Sequence, residues 1–478
     1  MSSELLKRRQ FLARLGLSAL LFNLTSQTSL VRANAAKKSP SVLVLGAGLS
    51  GLYAALLLER AGVTVTVLEG RDRVGGRVHT LDDLPGKPEA GAQVLSEKYL
   101  RLLKLATRYK IPLELQPKPS AQVLFHVNGQ YVLPKQWASS QANHLAKSEK
   151  QILPPALMTH YLRPRNPLKT PTDWVAQRYR NLDISLKDFL LIQGASEEAL
   201  RLMDIFPPSM NSITTASALW GLKNDQLAQE RGSKPLQVVG GNSRLPEKLA
   251  AALSSPIHLH KVVEEVKSVA TGVTVCCADG SSFNADYALL TLPFSVMRQI
   301  KIDPPLEGNQ KEAVEELPYT KITQVYFSVK GFLEKDDGYP LKMWTDSLLE
   351  QIFPVKDETG RVQGFVAWAN GDNADKLARS KQELKHTIKA QLQQIRPTMA
   401  ENLDISRIIT WGSDPFSLGA YSHFAPGQIR QWADKMARPW HRIHFAGEHT
   451  AVASTGMEAA LESAERAVQE LLLQVRSR

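Results

Sequence analysis

Residues 41–45, Ser-Val-Leu-Val-Leu, form an uninterrupted apolar run with the length and composition of a strand buried on both faces. The stretch 52–61 has helical composition, and 63–68 repeats the strand pattern before ending at Glu69. Strand, helix and strand in this order predict a parallel α/β unit. Near the other end, 443–446 reads as a strand and Gly447 as a turn. Met457, Ala460, Leu461, Ala464, Val468, Leu471 and Leu472 then recur at helical spacing, which predicts an amphipathic helix opening near Gly456 or Met457. Residues 288–290 make a short strand turning at Thr291-Leu292-Pro293, and 258–266 another, after the helix that follows Val239-Gly240-Gly241. Between these blocks lie a Pro- and Lys-rich run with scattered aromatics (116–172), a helical stretch (182–227), and a segment mixing strands with a helix near 381–395. The region from Trp137 to Trp174 reads as a solvated insertion, with a pocket cap or a membrane-surface contact as the alternatives.

Composition narrows the class. The chain has 478 residues, 43% hydrophobic and 22% charged, which excludes collagen, coiled coil and wholesale disorder. This length corresponds to about three compact units. Its two cysteines, Cys276 and Cys277, are adjacent, so neither a disulfide framework nor a Cys-based zinc site is expected, and they read as packing in an alternating strand. The formal charge is +11, and Lys7, Arg8, Arg9, Arg14 and Arg32, against Glu4, carry part of it in the first 35 residues. Without a basic stripe interleaved with aromatics, nucleic acid is not an expected partner. Lys7-Arg8-Arg9-Gln10-Phe11-Leu12 precedes an apolar run to Leu24, short of the ~20 residues that span a bilayer, and Ala33-Asn34-Ala35 has A-x-A spacing. Residues 1–35 resemble a twin-arginine signal. That implies the twin-arginine export machinery as a partner, a mature start near Ala36, and a periplasmic location, or membrane association if the signal is kept. A general-secretion signal and a basic amphipathic arm are the alternatives.

The chemistry begins at the first strand's end. Gly46-Ala47-Gly48-Leu49-Ser50-Gly51 is G-x-G-x-x-G between a strand and a helix, and Glu69 follows the next strand. Gly46 allows the tight turn, Gly48 admits a pyrophosphate to the backbone, and Gly51 lets helix and strand pack closely. The helix N-terminus offers unpaired N–H groups to phosphate, and Glu69 is placed for ribose hydroxyls. Gly75-Gly76 adds a second glycine pair, with Arg71 and Arg77 as charge partners.

Together these residues resemble the FAD signature of the flavin amine oxidase superfamily, which includes monoamine, polyamine and L-amino-acid oxidases. The resemblance covers nearly the whole chain after the signal. It extends to Val239–Leu245, Ala288–Pro293, Trp411 with Gly419-Ala420-Tyr421, and Gly447-Glu448-His449-Thr450 with Ser454-Thr455-Gly456-Met457-Glu458. It implies an α/β fold: a discontinuous (GR2-type) Rossmann-like FAD-binding domain (40–95, 235–315, 405–478) interleaved with an α+β substrate-binding domain (96–234, 316–404). It implies FAD, and export of an already folded protein favours FAD over a freely dissociating nicotinamide.

By the same resemblance, Val263 lies where the backbone holds the adenine, and Glu448 is the carboxylate for ribityl or ribose hydroxyls. The helix opening at Met457, after Gly447, aims its positive end at the flavin. Lys321, in Tyr319-Thr320-Lys321-Ile322, matches the lysine that reaches flavin N5 through a water. The aromatic after this motif, Phe332, lies about two residues late, and counting back from it lands on Thr323, which shares a strand face with Lys321. Tyr421 matches one wall of the aromatic cage around the amine. Gly456 stands where the second wall would be, and Trp411 packs near the flavin or serves as a core indole. Ala420 replaces a linking cysteine, which implies noncovalent FAD. Val94, after Gln93, stands where L-amino-acid oxidases hold the substrate carboxylate with arginine, so an amino acid would need another cation, such as Arg163, Arg165 or Arg244. The implied partners are a small amine or amino acid and either oxygen or a respiratory acceptor, and a homodimer is admitted. The implied reaction is oxidative deamination. A desaturase or porphyrinogen oxidase on the same fold, and a flavin-binding protein without turnover, are the alternatives.

Overall fold

The computed structural model describes residues 39–116, 122–230, 234–330, 337–378 and 381–476. The expected signal, 1–35, and Phe332 lie outside the described residues. Ser41–Leu45 is the central strand of a five-stranded, all-parallel sheet. The order is Ile443–Phe445, Tyr287–Leu290, Ser41–Leu45, Thr64–Leu68, Ile257–His258. The apolar run is continuous because both faces are covered. Val42 and Val44 feed one hydrophobic cluster, and Leu43 and Leu45 feed another. On the valine face, helices Leu49–Arg60 and Gly456–Arg476 pack together through Leu52, Leu56, Leu461, Ala464 and Val468. Ser50 and Ser463 pair their hydroxyls at 3.4 Å across that contact.

A seven-stranded, mostly antiparallel sheet forms the other large layer. Its order is Leu403–Thr410, Ile322–Val329, Val362–Asn370, Gln351–Lys356, Met343–Thr345, Leu124–Val127, Gln130–Val132. Leu377, Leu384, Ile388, Leu392 and Ile395 pack against Val325, Phe327, Phe365 and Ala367 on one of its faces.

By their contacts the described residues from Ser39 onward gather into one compact unit. Strand Leu403–Thr410 pairs with Ile322–Val329 in the seven-stranded sheet. Leu113–Leu115 pairs with Pro235–Val238. Two expectations of local structure are corrected. The single strand expected over 258–266 is two: His260 takes φ 59°, and the chain leaves the parallel sheet to enter a four-stranded one at Val263–Val269. The Trp137–Trp174 region is not a solvated insertion, since both indoles are buried at its ends. Trp174 packs against Trp220 and Phe424, and the two indoles flank the Lys223 ammonium at 4.1 and 4.4 Å. Burial draws Lys223 down to about 8.

Gly51 decides how close helix and strand can come. A Cβ there would stand 1.9 Å from the Gly46 carbonyl oxygen and 2.8 Å from Thr291 Oγ1. Gly51→Ala is therefore expected to lower unfolding free energy by about 3 kcal/mol, read as a fall in urea midpoint at unchanged slope.

Candidate functional site

Where the first strand ends, Gly46 takes φ 105° and its N–H donates to Leu68 O at 2.7 Å. The Glu69 carboxylate closes the turn, accepting from Ala47 N at 2.7 Å and from Arg71 N at 2.9 Å. Gly75 donates its N–H to Ala47 O at 2.8 Å, so the second glycine pair is laced onto the first turn. A cavity of about 680 Å³ begins here, lined by Gly46, Gly48, Glu69, Gly75 and Gly76 together with Leu49 and Ser50 of the first helix. No side chain caps that helix at Gly48. A Cβ on Gly48 would meet nothing within 4 Å and would stand in the cradle itself. Each Glu69 oxygen holds one backbone donor, leaving room for a hydroxyl. These residues fit a dinucleotide: an open helix N-terminus, bare backbone and a spare carboxylate acceptor.

Val263, Lys261, Gly447, Glu448 and Met457 line the same cavity. Gly51 lies outside it, in the packing role expected of it. The cavity walls also include Gln93, Val94, Ile322, Gln324, Trp368, Trp411, Tyr421 and Gly456. Trp411 Nε1 donates to Ala90 O at 2.7 Å. With its amide oriented to donate to Ala90 O, Gln324 accepts from Trp368 Nε1 at 3.2 Å. Both indole N–H groups are thus occupied within the wall. Burial raises the Tyr421 phenol, with the Glu350 and Glu448 charges adding to the shift. His449, buried behind the wall beside Phe294, is held well below the usual histidine range by burial and by the Arg77 and Arg466 charges.

The cations in this cavity already have partners. Arg71 makes a two-pronged pair with Asp414 at 2.9 and 2.7 Å and bonds Ser417 Oγ at 2.8 Å. Arg77 Nη1 donates to Ala420 O and to Glu448 Oε1, and Lys261 pairs with Asp279. Arg163 pairs with Asp225, and Arg244 with Asp82 and Glu247; like Arg165, neither lines the cavity.

Lys321 is a correction. Its ammonium pairs with Asp375, its side chain is 46% exposed, and it does not line the cavity. Thr323 is buried on the same strand face, donating to Ala374 O at 3.0 Å. The pleat turns Ile322 and Gln324 to the cavity instead, because helix Gly371–Ala378 covers the Lys321 side. Gln324 and Trp368 were missed by the sequence reading. The alternation along 322–329 could have offered Gln324, whereas nothing local marks Trp368.

A glycine-built nucleotide cradle opening onto aromatic walls is the arrangement of a flavin-dependent oxidoreductase. The chain belongs to the flavin-containing amine oxidoreductase family, whose pattern matches residues 49–472, and it is an oxidoreductase acting on CH–NH2 donors. It is 27% identical over 455 residues to an L-amino-acid oxidase of Siganus canaliculatus, covering 91% of this chain and 85% of that protein. It is 26% identical to amine oxidase [flavin-containing] B of Homo sapiens, covering 90% and 86%. Its fold is that of cyclohexylamine oxidase from Brevibacterium oxydans IH-35A, with a TM-score of 0.75, 19% identity, and 92% and 100% coverage.

Two outcomes follow. Gly48→Val fills the cradle and should weaken flavin binding about ten- to hundredfold, by titration of the apoprotein, without moving the apoprotein's melting temperature. Lys321→Met should leave the rate of flavin reoxidation within about twofold of wild type, by stopped-flow absorbance.

Proposed function

We propose that this chain is an FAD-dependent oxidase that deaminates a small primary amine. The observation carrying this reading is one continuous cavity that joins the glycine cradle and Glu69 to the Trp411, Trp368 and Tyr421 walls. Held by the glycine turns and Glu69, FAD would supply a two-electron acceptor for the α-C–H bond of the amine, with oxygen as final acceptor giving hydrogen peroxide, and the imine product would be hydrolysed to a carbonyl compound and ammonia. The chain's own residues seat and orient. Glu69 offers acceptors to ribose hydroxyls, Met457 and Gly456 open a 21-residue helix towards the cavity, and Tyr421 presents a ring to the apolar body of the amine. Ala420, in the wall, has no thiol, which supports noncovalent FAD.

Amines are favoured over amino acids because Arg71, Arg77 and Lys261 are engaged by protein partners and the position after Gln93 is Val94. A carboxylate brought among these walls without a cation is costly. The L-amino-acid oxidases among the relatives favour the second reading, an amino acid as substrate, with a respiratory acceptor as the alternative to oxygen. The paired arginines at 8 and 9 support export to the periplasm.

Phenethylamine and phenylalanine differ only by the carboxylate and make the test. Anaerobic mixing with phenethylamine should bleach the flavin at about tenfold lower concentration than phenylalanine does, and Tyr421→Ala should raise the concentration needed. Bleaching by phenylalanine alone would transfer the activity to amino acids. Bleaching by neither, nor by other amines, would remove the amine reading.

A further inference from the structure

Arg77 and Glu448 are placed by the sequence in the nucleotide seat, yet their hydrogen bonds run to the loop segment that carries Tyr421. Arg77 Nη1 donates to Ala420 O at 2.9 Å, one residue before Tyr421. Glu448 Oε1 accepts from Ser422 N at 3.0 Å, one residue after it, and Oε2 accepts from Ser422 Oγ at 3.1 Å. Arg77 and Glu448 also pair with each other at 3.0 Å. From the other side, Thr320 N donates to Tyr421 O and Ala420 N donates to Thr320 O, both at 2.8 Å. Residues 420–422 are therefore held on two sides, and one of those sides is the lining of the nucleotide cradle.

We propose that Ser422, with Glu448 and Arg77, is a positioning unit that fixes the Tyr421 ring and couples it to occupancy of the nucleotide seat. The path is covalent and hydrogen-bonded throughout. Gly75 is bonded to Ala47 in the first glycine turn, Arg77 lies two residues beyond Gly75, and the guanidinium and the Glu448 carboxylate then bracket Tyr421. Ser422 is 2% exposed and does not line the cavity, so its hydroxyl has no part in contacting a cofactor. Its donors lie out of reach of water, and Glu448 satisfies both of them; a sheltered donor without an acceptor is destabilising. The Arg77 and Glu448 side chains are 22% and 15% exposed, sheltered enough for charge-assisted bonds to hold geometry rather than merely screen charge. A ligand that settles against the paired Arg77 and Glu448, both of which line the cavity, tightens the bracket, and with it the tyrosine.

The proposal rests on Tyr421 as a wall of the amine site, and its test separates the two. Ser422→Ala removes one bond of the bracket while leaving the cavity lining intact. It should raise KM for phenethylamine about three- to tenfold, with FAD affinity within twofold of wild type and the melting temperature of the apoprotein retained. In protein labelled with 3-fluorotyrosine, the 19F resonance of residue 421, assigned by its loss in Tyr421→Phe, should shift and narrow when FAD binds to wild-type apoprotein. In Ser422→Ala the same resonance should stay broad at saturating FAD. An unchanged resonance together with an unchanged KM would overturn the proposal, as would parallel loss of FAD affinity and amine affinity, the mark of a general structural role. A resonance that broadens while KM stays constant would uphold the positioning unit and remove Tyr421 from the amine site.

Discussion

The Glu69 carboxylate holds the first glycine turn shut, and the site is organised around that grip. Its two oxygens take the N–H groups of Ala47 and Arg71, which stand on either side of the space between the first two parallel strands. Ala47 in turn accepts from Gly75, so the second glycine pair inherits its position from the first. Three backbone segments from separate stretches of sequence are thereby brought to one point without a side chain standing between them. At 6% exposure this carboxylate has both its oxygens hydrogen-bonded by backbone N–H groups, with no cation bonded to it directly. That leaves the neighbouring arginines to other tasks.

Those tasks are structural before any ligand arrives. Arg71 anchors the loop that carries Asp414, Phe416 and Ser417, and Arg77 reaches Ala420 and Glu448. Each pairing joins the nucleotide-cradle segment to a part of the chain more than three hundred residues later. The cradle and the wall segment at 411–422 are thereby tied directly to each other, with charge used to fix relative placement. The electrostatic attraction felt by an anionic group in the cavity then comes chiefly from helix ends and backbone N–H groups.

How much of this was legible in the sequence depended on whether the signal was local. The strand at 41–45 and the turn after it are written in consecutive residues, and Glu69 lies one strand further on, so both were read directly. The helix Gly456–Arg476 announced itself by its period. Lys321 was read to the wrong side, because the face a strand turns to a cavity is set by what covers its other face. Here that cover is Gly371–Ala378, some fifty residues away. Trp368 had no local mark, since its role depends on Gln324 meeting it across paired strands. Trp137 and Trp174 sit in a stretch whose prolines and lysines look solvated, while Trp137 finds Phe125 in the strand Leu124–Val127 and Trp174 finds Trp220 in the helix Ala218–Glu230.

The occupied indole N–H groups of Trp368 and Trp411 have one more consequence. Around them the wall presents carbon and π-electron surface, with its directional donors already spent inside the protein. Recognition by such a surface grades guests by contour and polarisability, and each added methylene changes the outcome only modestly, by about 1–3 kcal/mol. A chamber of this kind sorts a homologous series by degree, and it tolerates neighbours in that series rather than insisting on a single member.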